Sequence, residues 1–136
     1  MIPLCFYGQA YDMYGMMGTD TGGGYTLNMW RAIYYAMMGS KLHWGIIEHK
    51  GPPHVPDCVS FSQAFYMATK GGGEFFGKVG SFEVGYDFDA VLIDESRNSD
   101  FIERPIGDRI ERMISLSDER ETIEKYIKGK LVYKRQ

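Results

Sequence analysis

Apolar side chains follow three different rhythms along the chain, and each rhythm predicts a different element. From residue 26 they recur at three- and four-residue steps, which is the spacing of one helix face. The residues on this face are Leu27, Trp30, Tyr34, Met37 and Met38. Thr26 has the residue type of an N-cap and Gly39 that of a helix stop. Residues 14–19 form an uncharged run before the helix. We interpret them as a short buried strand that completes one β/α unit.

A second helix is predicted after residue 60. Ser60 and Gln63 have the spacing of a capping box, in which each side chain bonds the other residue's backbone amide. The residues expected to be buried are Phe61, Ala64, Phe65 and Ala68. We expect this helix to end at the glycine run 71–73 and a brief turn to cover residues 74–76. Before the helix, residues 49–57 carry three prolines and are predicted to form a loop.

The last part of the chain predicts strands and a third short helix. Val79, Phe82 and Val84 indicate an extended segment interrupted by glycines, and the apolar run 90–93 a fully buried strand. The third helix is marked by Ile106, Ile110, Met113 and Ile114. Residues 119–128 are open to two interpretations. Their Glu and Lys content favours a helix, whereas Lys128-Gly129 between apolar stretches favours a hairpin turn.

Composition narrows the class of protein. A chain of 136 residues with 44% apolar residues has enough material for one packed domain. The net charge of −3 and the scattered basic residues argue against a nucleic-acid partner. No apolar run is long enough to cross a membrane, and the first eight residues lack the basic flank of a signal peptide. Two cysteines, Cys5 and Cys58, are expected to be reduced in a cytoplasmic protein.

Three separated motifs occur in one order along the chain. The first is Gly18-Thr19-Asp20 followed by glycines 22–24, the second is Ser62-Gln63-Ala64-Phe65-Tyr66-Met67-Ala68-Thr69, and the third is the stretch 77–94. Together they resemble the C-terminal part of the zinc-dependent amidohydrolase superfamily, and within it the guanine deaminase family. The resemblance runs from about Met13 almost to the end of the chain, and it favours the terminal hairpin over the helix.

The resemblance implies an α/β fold that is only part of a larger one. A complete (β/α)8 barrel takes about 250 residues, so the chain would supply the last strand and helices of a metal-dependent hydrolase barrel. It would also supply part of the flanking small β-sandwich domain. We expect residues 1–76 to belong to the barrel and residues 77–136 to the small domain. The N-terminal part of the barrel would then be a missing partner.

Asp20 is the candidate catalytic residue. An aspartate before glycines is ordinarily a turn residue that caps backbone amides. The resemblance instead places Asp20 at the end of the eighth barrel strand, where it would bind zinc or lie beside the metal-bound water, and would move a proton from that water toward the leaving amine. Zinc lowers the pKa of bound water from about 16 to about 7. The resemblance also implies that the remaining zinc ligands are absent from this chain, which has no His-x-His pair.

Other candidate sites have a simpler interpretation. His43, His49, His54, Asp57 and Cys58 could be drawn as a metal site, but their spacing fits no helical His pair or CxxC motif. We expect a solvated loop there. Glycines 22–24 lack the lysine of a phosphate-binding loop. Six charged residues of the last third are expected to form a solvated surface or a subunit contact. They are Arg109, Glu111, Arg112, Asp118, Glu119 and Arg120.

Two classes of function follow. The resemblance implies a segment of a zinc hydrolase that converts guanine and water to xanthine and ammonia, is inactive alone, and belongs to a homodimer when complete. A relative acting on another aminated or chlorinated ring is the alternative within the superfamily. A non-catalytic remnant or interaction module is the alternative outside it. We also expect the isolated chain to associate, because strand edges and helix faces that a barrel would cover are exposed.

Overall fold

The computed structural model describes residues 17–19, 24, 26–46, 58–98 and 101–136. This part of the chain contains four α-helices and one three-stranded antiparallel sheet. The helices are α1 (Met29–Ile46), α2 (Phe61–Ala68), α3 (Lys70–Gly73) and α4 (Ile106–Leu116). The strands are β1 (Ala90–Ile93), β2 (Thr122–Ile127) and β3 (Lys130–Lys134). Three short 3-10 helices cover Glu74–Phe76, Ser96–Asn98 and Glu119–Glu121.

Helix α1 begins later and ends later than its pattern predicts. The Asn28 side chain accepts a hydrogen bond from the Trp30 amide, 2.9 Å away, so Asn28 caps the helix in place of Thr26. Leu27 lies before the helix and is exposed, contrary to its predicted place on the apolar face. Gly39 does not end the helix. A glycine inside a helix costs about 1 kcal/mol, and the packing of buried Met37 and Ser40 on either side of it outweighs that cost.

The capping box of helix α2 is confirmed. The Ser60 hydroxyl accepts a hydrogen bond from the Gln63 amide at 3.3 Å, and the Gln63 side chain accepts one from the Ser60 amide at 2.8 Å. The predicted end of this helix is wrong, because it stops at Ala68 and the glycines form α3. Gly73, the last residue of α3, has no side chain, and this lets the Val79 carbonyl approach it closely.

Residues 77–89 connect the helices to the sheet without a strand of their own. The predicted extended segment is therefore wrong. Gly77, Gly80 and Gly85 all have positive φ, so the chain turns repeatedly and no extended segment forms between the glycines. Phe82 and Val84 point outward from this connection and are exposed.

The sheet has the order β1-β2-β3, and both neighbouring pairs are antiparallel. Ala90 pairs with Tyr126 in the first ladder, and Ile127 pairs with Lys130 across the predicted hairpin turn. The hairpin is thus confirmed and the alternative helix is wrong. Strand β1 is where the sequence predicts it, but it is not fully buried. Val91 and Leu92 are 49% and 51% exposed, because the described sheet has little covering either face at these two positions.

The hydrophobic core lies between α1, α2 and α4. Its buried members are Ile33, Ala36, Met37, Val59, Ala64, Met67 and Ile114. Trp30, Tyr34 and Met38 pack against them, as their helical spacing predicts. The α4 prediction is confirmed, and Met113 and Ile114 are its buried residues, although Ile106 is exposed. None of the helices in the described ranges is long and apolar enough to span a membrane.

Candidate functional site

Asp20, the predicted catalytic residue and zinc ligand, lies outside the described residues. The chain just before it is described. The amide of Met17 donates a hydrogen bond to the Met67 carbonyl, 3.1 Å away at the end of α2, and the Met17 side chain packs against the core. Residues 17–19 have no regular secondary structure, and residues 14–16 of the predicted strand are also outside the described part. Residues 17–19 are thus anchored to α2 by a backbone hydrogen bond and by core packing.

The described residues contain no group of three or more His, Cys, Asp or Glu side chains that could hold a metal ion. His43 is in the last turn of α1 and not in the expected loop, and Cys58 is a half-buried free thiol before α2. His49, His54 and Asp57 lie outside the described residues, as does Cys5. The part of the chain that the structure describes therefore does not fit a zinc ion by itself.

A cavity of about 570 Å³ opens between the helices and the first strand. We refer to it as the apolar groove, and its main lining residues are Trp30, Ile33, Phe65, Phe82, Val91 and Ile110. Helices α1, α2 and α4, strand β1 and the connection around residues 80–82 all contribute to its walls. The sequence pattern does not predict this groove, because it places Phe82 in an extended segment and Val91 in a buried strand.

The charged residues at one end of the apolar groove pair with each other. Nε of Arg109 donates to Oε2 of Glu95 at 3.1 Å, and the second guanidinium nitrogen bonds the other carboxylate oxygen. The Glu95 carboxylate thereby raises the pKa of Arg109 and keeps it charged. Both groups are therefore engaged in this ion pair.

The remaining polar side chains of the groove also have partners. The Thr69 hydroxyl donates to the Phe65 carbonyl at 2.7 Å, and the Ser81 hydroxyl accepts from the Glu83 amide at 3.3 Å. Asp89 accepts a hydrogen bond from the Lys128 amide at 2.8 Å. The groove therefore presents an apolar contact surface and not a set of reacting groups.

A second cavity, of about 530 Å³, lies where α1 begins. The Asn28 side-chain amide donates to Oε2 of Glu119 at 2.9 Å and joins the start of α1 to the turn before β2. Hydrogen bonds, first from its own backbone amide and then from Asn28, lower the pKa of Glu119. This pair connects the helical layer to the sheet.

The charged cluster at residues 118–120 has a structural role. The Nε–H of Arg120 is shared between the two carboxylate oxygens of Asp118, at 2.9 and 3.0 Å, and Nη2 donates to Oδ2 at 2.7 Å. Asp118 also accepts from the Arg120 amide, and these bonds hold the pKa of Asp118 well below its ordinary value. Asp118 thus caps the 3-10 helix Glu119–Glu121, and its carboxylate is engaged in that turn.

Comparisons with known proteins agree on one family. The model of the Amidohydrolase family matches residues 8–132. Guanine deaminases from Homo sapiens and Rattus norvegicus are 33% and 34% identical to the chain over 127 and 128 residues, which is 85% of the chain and 27% of each relative. The chain thus spans about a quarter of the length of these curated relatives.

Solved structures give the same result for the fold. The crystal structure of guanine deaminase from C. acetobutylicum with bound guanine in the active site superimposes with a TM-score of 0.80 and 38% identity, covering 98% of this chain and 30% of that one. The E. coli guanine deaminase gives a TM-score of 0.74 with 26% identity, covering 97% of this chain and 30% of that one. The helices and three-stranded sheet described above therefore recur as a part of larger guanine deaminase structures.

Proposed function

Since the chain belongs to the amidohydrolase family, we propose that it forms part of a hydrolase of the guanine deaminase type, which converts guanine and water to xanthine and ammonia. The observation that carries this proposal is the superposition on a guanine deaminase with bound guanine in its active site, at 38% identity over almost the whole chain. The matching curated relatives carry the same name. The chain spans less than a third of these proteins, so its activity depends on the rest of the fold.

In the proposed arrangement the chain contributes the C-terminal end of a (β/α)8 barrel and part of a small β domain. We place the division after residue 76, where the 3-10 helix Glu74–Phe76 ends and the connection to the sheet begins. Helices α1, α2 and α3 precede this point and all three strands follow it, which supports the division. Helix α4 follows the division in sequence but packs against the helices before it, because its Ile114 side chain belongs to the core formed with α1 and α2.

Asp20 is the proposed catalytic residue of this segment. The oxygen of water bonds to C2 of guanine as the C2=N3 double bond opens, the Asp20 carboxylate accepts one water proton and N3 of the ring gains a proton. As the C2=O double bond forms, the remaining water proton is lost, Asp20 gives its proton to the amino nitrogen, the C2–N bond breaks and ammonia leaves. A carboxylate suits this role because general acid–base transfer needs a group that accepts and donates within one site. The anchoring of Met17 to the end of α2 supports a fixed position for the chain that leads into Asp20.

The metal of the proposed enzyme is zinc, with Asp20 as one of its ligands. The described residues do not form a zinc site, and a catalytic zinc needs about three protein ligands. The other ligands therefore have to come from outside the described residues. Guanine as substrate, a homodimeric assembly and a cytoplasmic location complete the proposal, and the similarity to guanine deaminases supports the first of these.

The test uses a chimera because the chain matches only part of its relatives. The matched segment of the C. acetobutylicum guanine deaminase is replaced by this chain, and xanthine and ammonia release from guanine are measured. We expect turnover in the chimera and a loss of about 100-fold or more with Asp20→Asn, as for other general acid–base residues. Asp108→Asn, on the exposed first turn of α4, is the control and should leave turnover unchanged.

Three results would change the proposal. Normal turnover with Asp20→Asn would remove Asp20 from the mechanism. A chimera that folds and leaves guanine intact, yet releases ammonia or chloride from another ring, would point to a different substrate. A folded chimera without any hydrolase activity would contradict the catalytic assignment and favour an interaction module.

A further inference from the structure

Asn28 uses both ends of its side-chain amide. Its oxygen accepts the hydrogen bond from the Trp30 amide that caps α1, and its nitrogen donates to Oε2 of Glu119, 2.9 Å away in each case. The backbone amide of Asn28 also donates to the Thr26 hydroxyl at 3.0 Å. The chain at the start of α1 is therefore fixed by three hydrogen bonds, and one of them comes from the turn before β2.

The turn that carries Glu119 is itself held in place. Glu121 in this turn is buried, and its carboxylate accepts a hydrogen bond from the Asp118 amide at 2.9 Å. The guanidinium of Arg135, the residue after β3, donates to the Arg120 carbonyl at 2.8 Å. The Glu119 carboxylate thus extends toward Asn28 from a turn that is fixed to the sheet.

Met17 and Asn28 lie on either side of Asp20 in the sequence, three residues before it and eight residues after it. Met17 is held by its hydrogen bond to the Met67 carbonyl, 3.1 Å away at the end of α2. Asn28 is held by Glu119 and by its bonds at the start of α1. A short chain segment with two fixed ends has fewer conformations than one with a free end. The two fixed ends therefore restrict where the Asp20 carboxylate can lie.

Proton transfer depends closely on such a restriction. A general acid–base group has to lie within hydrogen-bonding distance of the atom it serves, and a displacement of about 1 Å caused by a distant change can cost about 100-fold in rate. We propose that Glu119 is a positioning residue for the Asp20 carboxylate and acts through Asn28, without contact with the reacting atoms. This inference rests on the proposed function for the role of Asp20. The bond between Glu119 and Asn28 is independent of it.

The test compares two exposed carboxylates in the chimera of this chain and the C. acetobutylicum enzyme. Glu119→Ala should lower kcat about tenfold or more and leave KM for guanine within about twofold, because a misplaced proton-transfer group affects the transition state and not the binding of the substrate. Glu83→Ala is the matched control, since Glu83 is exposed and bonds the Lys70 ammonium at 2.6 Å. It should leave both constants unchanged.

Two further variants separate the hydrogen bond from the charge. Glu119→Gln keeps an oxygen that accepts from Asn28 but removes the charge, so kcat and its pH dependence should stay close to those of the parent chimera. Asn28→Ser keeps a helix-capping oxygen on a side chain too short to reach Glu119. It should lower kcat as much as Glu119→Ala does. The double variant Asn28→Ser/Glu119→Ala should lower kcat no further, because both changes remove the same bond.

Hydrogen exchange gives a measurement that does not depend on activity. Backbone amides of residues 20–28, followed by mass spectrometry, should exchange about threefold faster or more in Glu119→Ala than in the parent chimera, because one end of the segment is released. The exchange should be unchanged in Glu83→Ala and in Glu119→Gln.

Equal losses of kcat in Glu119→Ala and Glu83→Ala would overturn the positioning role, because a general loss of stability would then explain both. A Glu119→Gln variant as slow as Glu119→Ala, with a shifted pH profile, would show that the charge acts and not the bond to Asn28. Turnover that Asp20→Asn abolishes and Glu119→Ala leaves unchanged would contradict positioning alone. A folded chimera without turnover would contradict the proposed function, whether or not the hydrogen exchange changes as expected.

Discussion

The carboxylate of Asp89 accepts a hydrogen bond from the backbone amide of Lys128, 2.8 Å away, and so joins the residue before β1 to the turn between β2 and β3. The Gly129 amide adds a second bond, to the Phe88 carbonyl at 2.8 Å. Lys128 and Gly129 have φ values of 50° and 75°. A two-residue hairpin turn needs positive φ at these positions, and a lysine adopts it with some strain. The contacts from residues 88 and 89 hold the turn in this conformation.

Asp89→Ala should therefore destabilise the chain by about 1–2 kcal/mol, because a charge-assisted hydrogen bond to a strained turn is lost. The measurement is the free energy of unfolding from urea denaturation. Asp87→Ala is the matched control, since the Asp87 carboxylate forms an ion pair with the exposed Lys128 ammonium at 3.3 Å. Exposed ion pairs contribute less than about 1 kcal/mol. An equal loss in the two variants would show that charge, and not the bond to the turn, stabilises the hairpin.

Two glycines allow the backbone to cross itself between α2 and the sheet. A Cβ atom on Gly80 would lie 2.4 Å from the Thr69 carbonyl oxygen, and one on Gly73 would lie 2.4 Å from that of Val79. Gly80 also has a φ of 77°. Both close contacts are with backbone atoms, which cannot move aside as a flexible side chain would. The connection from α3 to residue 80 thus depends on these two positions.

Gly80→Ala should cost about 2–4 kcal/mol, from steric overlap and from the left-handed conformation together. Gly73→Ala should have a smaller but clear effect from overlap alone. Gly107→Ala is the control, because an added Cβ meets nothing within 4 Å inside helix α4. It should raise stability by about 0.5–1 kcal/mol. Thermal unfolding of the three variants gives the order of their stabilities. An unchanged stability of Gly80→Ala would show that the two backbone segments are farther apart than described.

The sequence predicts the helices and strands better than it predicts how far their side chains are buried. The capping box and the hairpin turn are local features, because each is made by residues within one turn of the chain. The capping box is formed by Ser60 and Gln63, and the hairpin turn by Lys128 and Gly129. The burial of β1 is not local. Four apolar residues in a row indicate a strand, but whether Val91 and Leu92 are covered depends on what else packs there.

The length of α1 shows the same limit. Gly39 has the residue type of a helix stop, yet the helix continues because Ser40, one residue later, bonds the chain before α2.

The candidate site also could not be predicted from the sequence pattern alone. Asp20 was singled out by resemblance, and the apolar groove is formed by residues up to 85 positions apart, from Met29 to Ile114.

Ser40 is the clearest case in which one side chain joins two elements. Its hydroxyl accepts a hydrogen bond from the Val59 amide at 2.8 Å, and both residues are buried. Ser40→Ala leaves that amide without its partner and should cost about 1–3 kcal/mol. Ser62→Ala, on the exposed side of α2, should change the free energy of unfolding by less than about 0.5 kcal/mol. Equal stabilities of the two variants would show that the buried amide finds another acceptor.

Asp94 gives a prediction that depends on pH. Hydrogen bonds from the Ser96 hydroxyl and amide, and then from Arg135, lower the pKa of Asp94 from 3.8 to about 2. Since the pKa is lower in the folded state, the ionised carboxylate stabilises the fold. This contribution is complete above about pH 4 and is lost as the pH falls through about 2. The change in stability that the titration of Asp94 causes is therefore confined to the acid side of the stability curve.

Ser96→Ala should raise the pKa of Asp94 more than Arg135→Gln does, because the Ser96 hydroxyl has the larger effect. An NMR titration that follows the side-chain carboxyl carbon of Asp94 measures both shifts. Asp94→Asn should in turn flatten the fall in stability between pH 4 and pH 2, because the group that titrates in this interval is gone. A larger shift in Arg135→Gln would mean that the charge of Arg135, and not the local turn at Ser96, sets the pKa of this carboxylate.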